Sequence, residues 1–517
     1  ITVDKSELRT YDANNAKTYI VDAGDYYFTA ATDAHNAVNN ILAAKGYTVE
    51  NTDGRMTADG DVALTYKWTN AALDSTTYAT SENGTAITNL FDEADPNKSS
   101  SEPGEVTWLS RSNWVATFPT QPVVLNATQT LADHLAFTRY DGSKADSVEM
   151  PTLGADNGLA LVSMIGADYD DPQWDTLLDQ LTFNEMVNTI TLGFHNTAAV
   201  ESIGKTRTKD ENGPQGLTAA LTGGASAMCY TSEDVMAATF NVDLINDVGR
   251  CIGEDCLAMG YSGLYGPGIN MHRTAYSGRN FEYYASDPFV AGTICAAEVN
   301  GIQSKGVYVY LKHVALNDSE SSRRGVNTWL NEQAAREIYL EVADKAITDG
   351  GAWSVMTGFN RWGAYWCGAY DNLLTGFLRG ELGMRGMIIT DYSGSSKYMD
   401  LADGLIAGSD IWDSPDPTIH TTLAPKYEND AYIVTEMRES MHKILYTVAN
   451  SNAMNGWSSA DRLKVITPWW KTALYVLDTV LAVLTVLCIW RLVVAIKRKK
   501  TWTAEQAANT ASAQNQQ

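Results

Sequence analysis

Short apolar, β-branched segments that end in polar side chains recur through the middle of the chain. Three of them end at Lys312 and His313, at Asn360, and at Asp391. Enzymes built on parallel strands place their reacting groups at the carboxyl ends of those strands. The pattern therefore predicts that the three strand ends contribute polar groups to one shared pocket.

Residues 155–450 alternate such short apolar runs with longer helical patterns, which is typical of repeated βα units. In the helical pattern at 331–347, apolar side chains recur at three- and four-residue spacing, which predicts that Glu332, Arg336 and Asp344 face solvent. A (β/α)8 barrel needs roughly 250 residues, and this region is long enough. The fold class predicted is α/β, with a (β/α)8 TIM-type barrel as the catalytic domain.

The first 90 residues have a different pattern. Strand-like alternation at 18–21 and 26–29 and a short helix at 35–44 indicate part of a small β domain. Residues 91–154 are predicted to be a linker that wraps a neighbouring domain, because the stretch from about 91 to 120 is rich in Asp, Asn, Ser and Pro.

One apolar segment near the C-terminus predicts a transmembrane helix over 472–496. Its apolar run begins at Leu474 and ends at Ile496, and at 1.5 Å per residue it reaches roughly 34 Å, enough for a hydrocarbon core of about 30 Å. The basic cluster from Lys497 to Lys500 follows it and is expected to stay in the cytoplasm. We expect a lipid bilayer partner, a catalytic region outside the cell and a cytoplasmic tail at 497–517, with the chain disordered after Lys500.

The charge balance argues against a nucleic-acid partner. The net charge is −25 with a pI near 4.6, whereas a phosphate-binding protein needs clustered Lys and Arg. The six cysteines and seven histidines have no spacing typical of metal ligands. No metal and no cofactor is predicted.

Four motifs in order carry a family resemblance. They are Gly278 to Tyr284 followed by Ser286-Asp287-Pro288, Lys312 to Asn317, Met356 to Asn360, and Ile389 to Tyr392. Taken together they resemble glycoside hydrolase family 3, over roughly residues 181–410. The resemblance implies a retaining exo-β-glycosidase of the β-glucosidase type, acting on an oligosaccharide or a β-glucoside.

The resemblance also implies roles for particular residues. Asp391 matches the nucleophile, which would form a covalent glycosyl-enzyme. Arg279, Lys312 and His313 match residues that bind hydroxyl groups of the terminal sugar. Where the family commonly has Asp-Gly-Pro, this chain reads Asp210-Glu211-Asn212-Gly213-Pro214, so either Asp210 takes over a sugar contact or Asn212 makes it without charge.

Simpler interpretations remain for these motifs. Asp391 can cap a following helix, and Arg279 with Glu282 can be a structural ion pair. The whole domain can be a catalytically inactive, cell-surface carbohydrate-binding protein, or a xylosidase- or arabinosidase-type relative.

The order of segments resembles a permuted branch of the family, in which a fibronectin-III-like β domain precedes the barrel. Residues 1–90 would then be part of that β domain, and the acid/base would lie in a further domain upstream. The chain opens at Ile1 without a hydrophobic leader, which we interpret as missing upstream sequence. Within the chain, only Glu282 and Glu320 are candidates for the acid/base.

Overall fold

The protein is described by a computed structural model covering residues 2–99, 106–110, 117, 120, 126–136, 140–393, 398–458, 460–461, 463–464 and 466–514. The chain forms two compact units, Ile1–Asp461 and Arg462–Gln517. Part of the predicted linker, including residues 100–105, lies outside the described residues.

The N-terminal segment contains two antiparallel strand pairs and one helix. Strand β1 (Thr10–Asp12) pairs with β2 (Thr18–Ile20), and β3 (Gly24–Thr29) pairs with β4 (Thr65–Asn70). The helix Ala34–Ala44 begins after Asp33, whose side chain accepts a hydrogen bond from the Asn36 N–H. The predicted strands and helix fall on these elements. Among the described residues the four strands form two separate sheets, and the fibronectin-like assignment stays a prediction.

A parallel five-stranded sheet forms the centre of the first unit. Its strand order is β12-β9-β7-β6-β5 and every neighbouring pair is parallel, the strands being β5 (Asp210–Asn212), β6 (Gly263–Tyr265), β7 (Tyr308–Val314), β9 (Ser354–Thr357) and β12 (Ile388–Ile389). A second, three-stranded sheet comprises β8 (Asn327–Thr328), β10 (Arg361–Trp362) and β11 (Tyr365–Trp366).

Further backbone contacts extend the sheet from both edges. Ile389 of β12 forms a parallel bridge with Ile411, the Trp412 N–H donates to the Ile190 carbonyl at 2.8 Å, and the Asp210 N–H donates to the His195 carbonyl at 3.0 Å. The domain is therefore an α/β, barrel-like structure. Among the described residues this sheet has five regular strands, whereas we predicted a barrel of eight. The eight-stranded barrel therefore stays a prediction.

Helices alternate with these strands along the chain. They span Gln173–Leu178, Phe183–Thr191, Glu233–Ala237, Val242–Met259, Pro288–Gln303, Leu401–Ala407 and Ala431–Ala449, with a further short helix Gln129–Ala136 in the linker region and a π-helical segment Asn372–Glu381. Local sequence sets their ends. Thr182 and Glu185 form a capping box at Phe183, and Gly260 ends its helix in the left-handed conformation at φ 75°.

The helical segment predicted at 331–347 is observed, but its polar face is not exposed. It comprises Glu332–Ala334, the π-helical Ala335–Tyr339 and Glu341–Thr348. The predicted solvent exposure of Glu332 and Arg336 is wrong, since both are buried. Their charges are paired, because Arg336 binds Glu332 at 2.7 Å and Glu381 at 2.6 Å.

The N-terminal segment covers this ion-pair cluster. The backbone N–H groups of Leu90 and Phe91 donate to the Glu332 carboxylate at 3.1 and 2.6 Å, and Arg336 donates to the Thr88 carbonyl at 2.8 Å. A segment that is distant in sequence, residues 88–91, therefore buries the helix face that the apolar periodicity had assigned to solvent.

The second unit contains one long helix, Trp469–Gln514, whose apolar side chains are exposed. It is long and apolar enough to cross a membrane. Our prediction of a disordered tail is wrong for residues 501–514, because the helix continues to Gln514. Ala, the most frequent residue there, has the highest helix propensity.

Candidate active site

Asp391 lies directly beyond β12, at the carboxyl end of the sheet. Its backbone N–H donates to the Thr357 carbonyl at 3.2 Å, and its Oδ1 atom accepts from the Tyr392 N–H at 2.7 Å. The side chain is buried, and Oδ2 has no hydrogen-bond partner among the described residues. Two basic side chains lie close to Oδ2, with His313 Nε2 at 3.4 Å and Arg323 Nη1 at 3.9 Å. One carboxylate oxygen is therefore held in place while the other remains available.

Burial raises the pKa of Asp391 above its ordinary value, while Arg323, Arg279 and Lys312 oppose that rise by favouring the charged form. The pKa of His313 is held well below its usual value by burial and by the same three cations. The imidazole beside the carboxylate is therefore neutral at pH 7. The positive charge that supports Asp391 comes from the arginines and the lysine.

A β-bulge presents both Lys312 and His313 at the end of β7. Side chains of a strand alternate between its faces, and Lys312 continues the inner face that carries Tyr308 and Tyr310. The pairing of β7 with β9 shifts register between Lys312 and Val314, and such a shift lets two consecutive side chains turn toward one site. Both residues line the same cavity as Asp391.

Arg279 connects the β7 residues to an acidic partner. Its Nη1 atom lies 3.1 Å from His313 Nε2, its Nε atom binds the Glu282 carboxylate, and Lys312 Nζ lies 3.4 Å from the other Glu282 oxygen. The ion pair between Arg279 and Glu282 thus exists, as the structural interpretation expects, and Arg279 also lines the cavity. Glu282 fixes two cations in position beside Asp391.

The structure separates Asp210 from Asn212. Both belong to β5 and, being two residues apart, share one face. Asn212 lines the cavity, whereas Asp210 lies one layer deeper and accepts hydrogen bonds from the Tyr308 and Tyr310 hydroxyls at 2.6 and 3.0 Å. Of the two residues predicted to contact substrate, only Asn212 is placed where it can do so.

The cavity has a volume of about 510 Å³, within the roughly 300–1,000 Å³ range of small-molecule sites. Besides the residues named above it is lined by Phe194, His195, Leu221, Tyr265, Arg323, Arg324, Met356, Phe359, Tyr392, Asp413 and Pro415. Sequence reasoning missed His195, Arg323, Arg324 and Asp413. Asp413 had a usable signal, because it follows the apolar pair Ile411-Trp412 as Asp391 follows an apolar strand.

The two in-chain acid/base candidates are both engaged by cations. Burial favours the neutral form of Glu282, but Lys312 and Arg279 outweigh it and lower the pKa of Glu282. Glu320 lies 3.2 Å from Arg323 and 3.7 Å from Arg279. Within the described part of the chain, no group of three or more His, Cys, Asp or Glu side chains is arranged to hold a metal ion.

Comparison with known proteins identifies the region that carries this site. Residues 196–419 match the family model described as "Glycosyl hydrolase family 3 N terminal domain". Beta-glucosidase B of Emericella nidulans is 33% identical over 251 residues, which are 48% of this chain and 29% of that protein. Thermostable beta-glucosidase B of Acetivibrio thermocellus is 32% identical over 244 residues, covering 46% and 32%. The chain thus spans about a third of the length of these curated relatives.

Solved structures show the same likeness. The structure of beta-glucosidase 3B from Thermotoga neapolitana in complex with α-D-glucose superposes with a TM-score of 0.50 at 26% identity, covering 56% of this chain and 44% of that one. A beta-glucosidase from Paenibacillus barengoltzii superposes with a TM-score of 0.62 at 20% identity, covering 89% and 48%. The second likeness shows the fold alone.

The matched family model, the relatives and the arrangement of Asp391 with its cations agree with one another. We conclude that residues 196–419 form a domain like the N-terminal domain of glycoside hydrolase family 3, and that the chain is similar to beta-glucosidases over about half of its length.

Proposed function

We propose that the protein is a retaining exo-β-glycosidase that hydrolyses terminal β-linked sugars, with β-glucosides as the substrate class and Asp391 as the nucleophile. The observation that carries this proposal is the Oδ2 atom of Asp391. It is buried, has no hydrogen-bond partner among the described residues, and lies beside Arg323 and a neutral His313 in a cavity of small-molecule size.

The chemistry proceeds in two steps. In the first, Asp391 Oδ2 forms a bond to the anomeric carbon while the glycosidic C–O bond breaks and the leaving oxygen takes a proton from a general acid. In the second, a water molecule, deprotonated by the same group, attacks the anomeric carbon and releases Asp391 and the sugar. Arg323 and Arg279 keep the returning carboxylate charged.

Arg279, Lys312, His313 and Asn212 supply the hydrogen-bonding groups for the terminal sugar. A buried polar group left without a hydrogen bond costs about 1–3 kcal/mol. A polyol, which can pair with these four side chains, therefore fits the cavity better than an apolar ligand. The beta-glucosidase 3B structure that this chain resembles contains α-D-glucose, which supports glucose as the terminal unit.

The general acid is proposed to lie outside this chain, in a domain upstream of it. Glu282 is a poor acid because two cations lower its pKa, and Glu320 is paired with arginines. We propose the order of partial fibronectin-III-like domain (1–90), linker (91–154), (β/α)8 catalytic domain (155–450), transmembrane helix (472–496) and cytoplasmic tail (497–517). The two antiparallel strand pairs that precede the parallel sheet in this chain support an order in which β structure comes before the barrel.

The same reasoning proposes a cell-membrane location with the catalytic region outside. The apolar helix Trp469–Gln514 and the basic residues Lys497 to Lys500 support an anchor with a cytoplasmic C-terminus.

Covalent trapping tests the proposal. Incubation of the full-length protein with a 2-deoxy-2-fluoro-β-glucoside is expected to add one fluoroglycosyl unit to the peptide that contains Asp391, as read by mass spectrometry. Saturable glucose binding without an adduct favours the carbohydrate-binding protein instead. An adduct that forms only with a xyloside or arabinoside reagent favours those relatives, and an adduct on another peptide refutes the role of Asp391.

A further inference from the structure

Asp413 is the register neighbour of Asp391 on the adjacent segment. Ile389 and Ile411 form a parallel bridge, so the residues two positions further along each segment lie side by side and point to the same face. The backbone is held on both sides, since the Asp413 N–H donates to Thr390 Oγ1 at 3.1 Å and its carbonyl accepts from the Ser393 N–H at 2.9 Å. Parallel strands lie about 4.8 Å apart. The nucleophile therefore has a second carboxyl group close beside it.

This second carboxyl group is nearly buried and lacks an ionic partner. Asp413 is 4% exposed and lines the cavity. Among the described residues, no Lys, Arg or His nitrogen makes an ion pair with it. Its carboxyl group accepts a hydrogen bond from the Tyr265 hydroxyl to Oδ1, at 3.4 Å, and a further one from the backbone N–H of His195. A buried carboxyl group with so few partners is costly to the fold, unless a ligand supplies the rest.

His195, the basic side chain that favours the charged form of Asp413, is paired with another carboxylate. His195 Nδ1 lies 2.9 Å from the buried Glu211 carboxylate, and the backbone N–H of His195 donates to the Tyr265 hydroxyl at 3.1 Å. His195 has φ 51°, in the left-handed region that a non-glycine residue adopts at a cost. Glu211 therefore pairs with His195 and leaves the Asp413 carboxyl group facing the cavity.

The protonation state of Asp413 suits a ligand that carries hydroxyl groups. Burial and the nearby Asp391 raise the pKa of Asp413 to about 7, with His195 opposing them. A carboxyl group near its pKa can both donate and accept a hydrogen bond, as a sugar hydroxyl does. Asn212, on the same cavity, is neutral.

We propose that the Asp413 carboxyl group binds a hydroxyl group of the terminal sugar, on the side of the cavity next to the nucleophile, and so determines sugar specificity. This inference rests on the proposed function. It assigns to Asp413 the polar contact that Asp210, one layer below the cavity, cannot make.

The test is a double-mutant-type cycle with the full-length protein, in which the effect of substituting Asp413 is compared between a glucoside and analogues that lack one hydroxyl group. The substrates are p-nitrophenyl β-D-glucopyranoside and its 2-, 3-, 4- and 6-deoxy analogues. Asp413→Ala is expected to lower kcat/KM for the parent glucoside by about 10- to 100-fold, the loss typical of a hydrogen bond to a charged group. For one deoxy analogue, which lacks the bound hydroxyl, the same variant is expected to lose little.

Asp413→Asn provides a second variant with the same shape, so the cycle does not depend on how well the alanine protein folds. Its expected loss is smaller, and its inhibition constant for D-glucose is expected to rise. Asp243→Asn, an exposed aspartate on the helix Val242–Met259, is the matched control and should leave all five substrates unaffected.

Two results distinguish the failures. If the unaltered protein hydrolyses none of the glucosides and forms no adduct on Asp391, the proposed function fails and this inference fails with it. If it hydrolyses them but both Asp413 variants lose the same factor on every deoxy analogue, the proposed function stands and Asp413 is only structural.

Discussion

The Nε2 atom of His313 lies 3.4 Å from the Oδ2 atom of Asp391, without the geometry of a hydrogen bond. Burial and three nearby cations keep this imidazole neutral by lowering its pKa. The ring therefore closes one side of the nucleophile without donating a proton to it or neutralising its charge. The carboxylate oxygen stays ready to attack a bound sugar.

Replacing Asp391 by Asn should abolish turnover and leave the fold intact. The amide cannot form the glycosyl-enzyme, so kcat/KM for a β-glucoside should fall by on the order of 10³-fold or more. Colorimetric assay of the full-length protein measures this. Residual activity above a few per cent would contradict the assignment.

Thermal unfolding supplies the control for that variant. The pKa of Asp391 is raised above 3.8 by burial, so its favourable contribution to stability is present below that value and is lost as pH rises through the raised pKa. Asp391→Asn should therefore melt at the same temperature as the unaltered protein or higher at pH 7. A lower melting temperature would mean that activity was lost through misfolding.

Replacing Arg323 by Gln should move the acid limb of the kcat/KM pH profile to higher pH. Activity needs ionised Asp391, and Arg323, 3.9 Å from its Oδ2, is the foremost group that favours the charged form. Removing it raises the pKa further, so more activity is lost on the acid side. Arg324→Gln is the control, since both arginines lie over the Phe359 ring but only Arg323 is paired with Asp391. If the acid limb of the Arg323→Gln profile stays at the same pH, the other cations are enough to keep Asp391 ionised and the prediction is wrong.

Asp210 and Asn212 should respond differently to substitution. Asp210→Asn weakens the hydrogen bonds with Tyr308 and Tyr310, so it should lower the free energy of unfolding by about 1–3 kcal/mol with KM nearly unchanged. Asn212→Ala removes a group that lines the cavity, and should raise KM with little loss of stability. Denaturant unfolding and steady-state kinetics measure both. The reverse result would place Asp210 in the substrate site.

Replacing Arg336 by Met should destabilise the protein severely. Arg336 binds the Glu332 and Glu381 carboxylates, and all three side chains are almost wholly buried, so the change leaves charge uncompensated at a cost of about 3–5 kcal/mol. Arg250→Met breaks an exposed pair with Asp247 and should cost less than about 1 kcal/mol. Equal effects in denaturant unfolding would argue against the buried network.

Deleting residues 474–500 should release the protein from the membrane fraction. The deletion removes the apolar run and its basic flank, which together provide the predicted anchor. Deleting only 501–514 leaves that run intact and should not release the protein. Immunoblotting of fractions after ultracentrifugation measures both. Continued sedimentation of the first variant would contradict the anchor.

Several features followed from local sequence alone. The strand ends at Lys312 and Asp391, the capped helices and the apolar helix near the C-terminus each depend on neighbours within a few residues. Parallel strands end at the same edge of a sheet, so the sequence also predicted that Lys312, His313 and Asp391 share one site. The family motifs added Arg279 to that site.

Other features depended on contacts between distant parts of the chain. Periodicity assigned Glu332 and Arg336 to solvent, but a segment some 240 residues away buries them. Asp210 and Asn212 occupy the same face of β5 and differ only in their position along the strand, which places Asp210 below the cavity and Asn212 at its surface. Arg323 and His195 reach the cavity through loop paths that no local pattern specifies. Tertiary packing decided which polar groups meet, since burial and charge pairing are properties of the assembled fold.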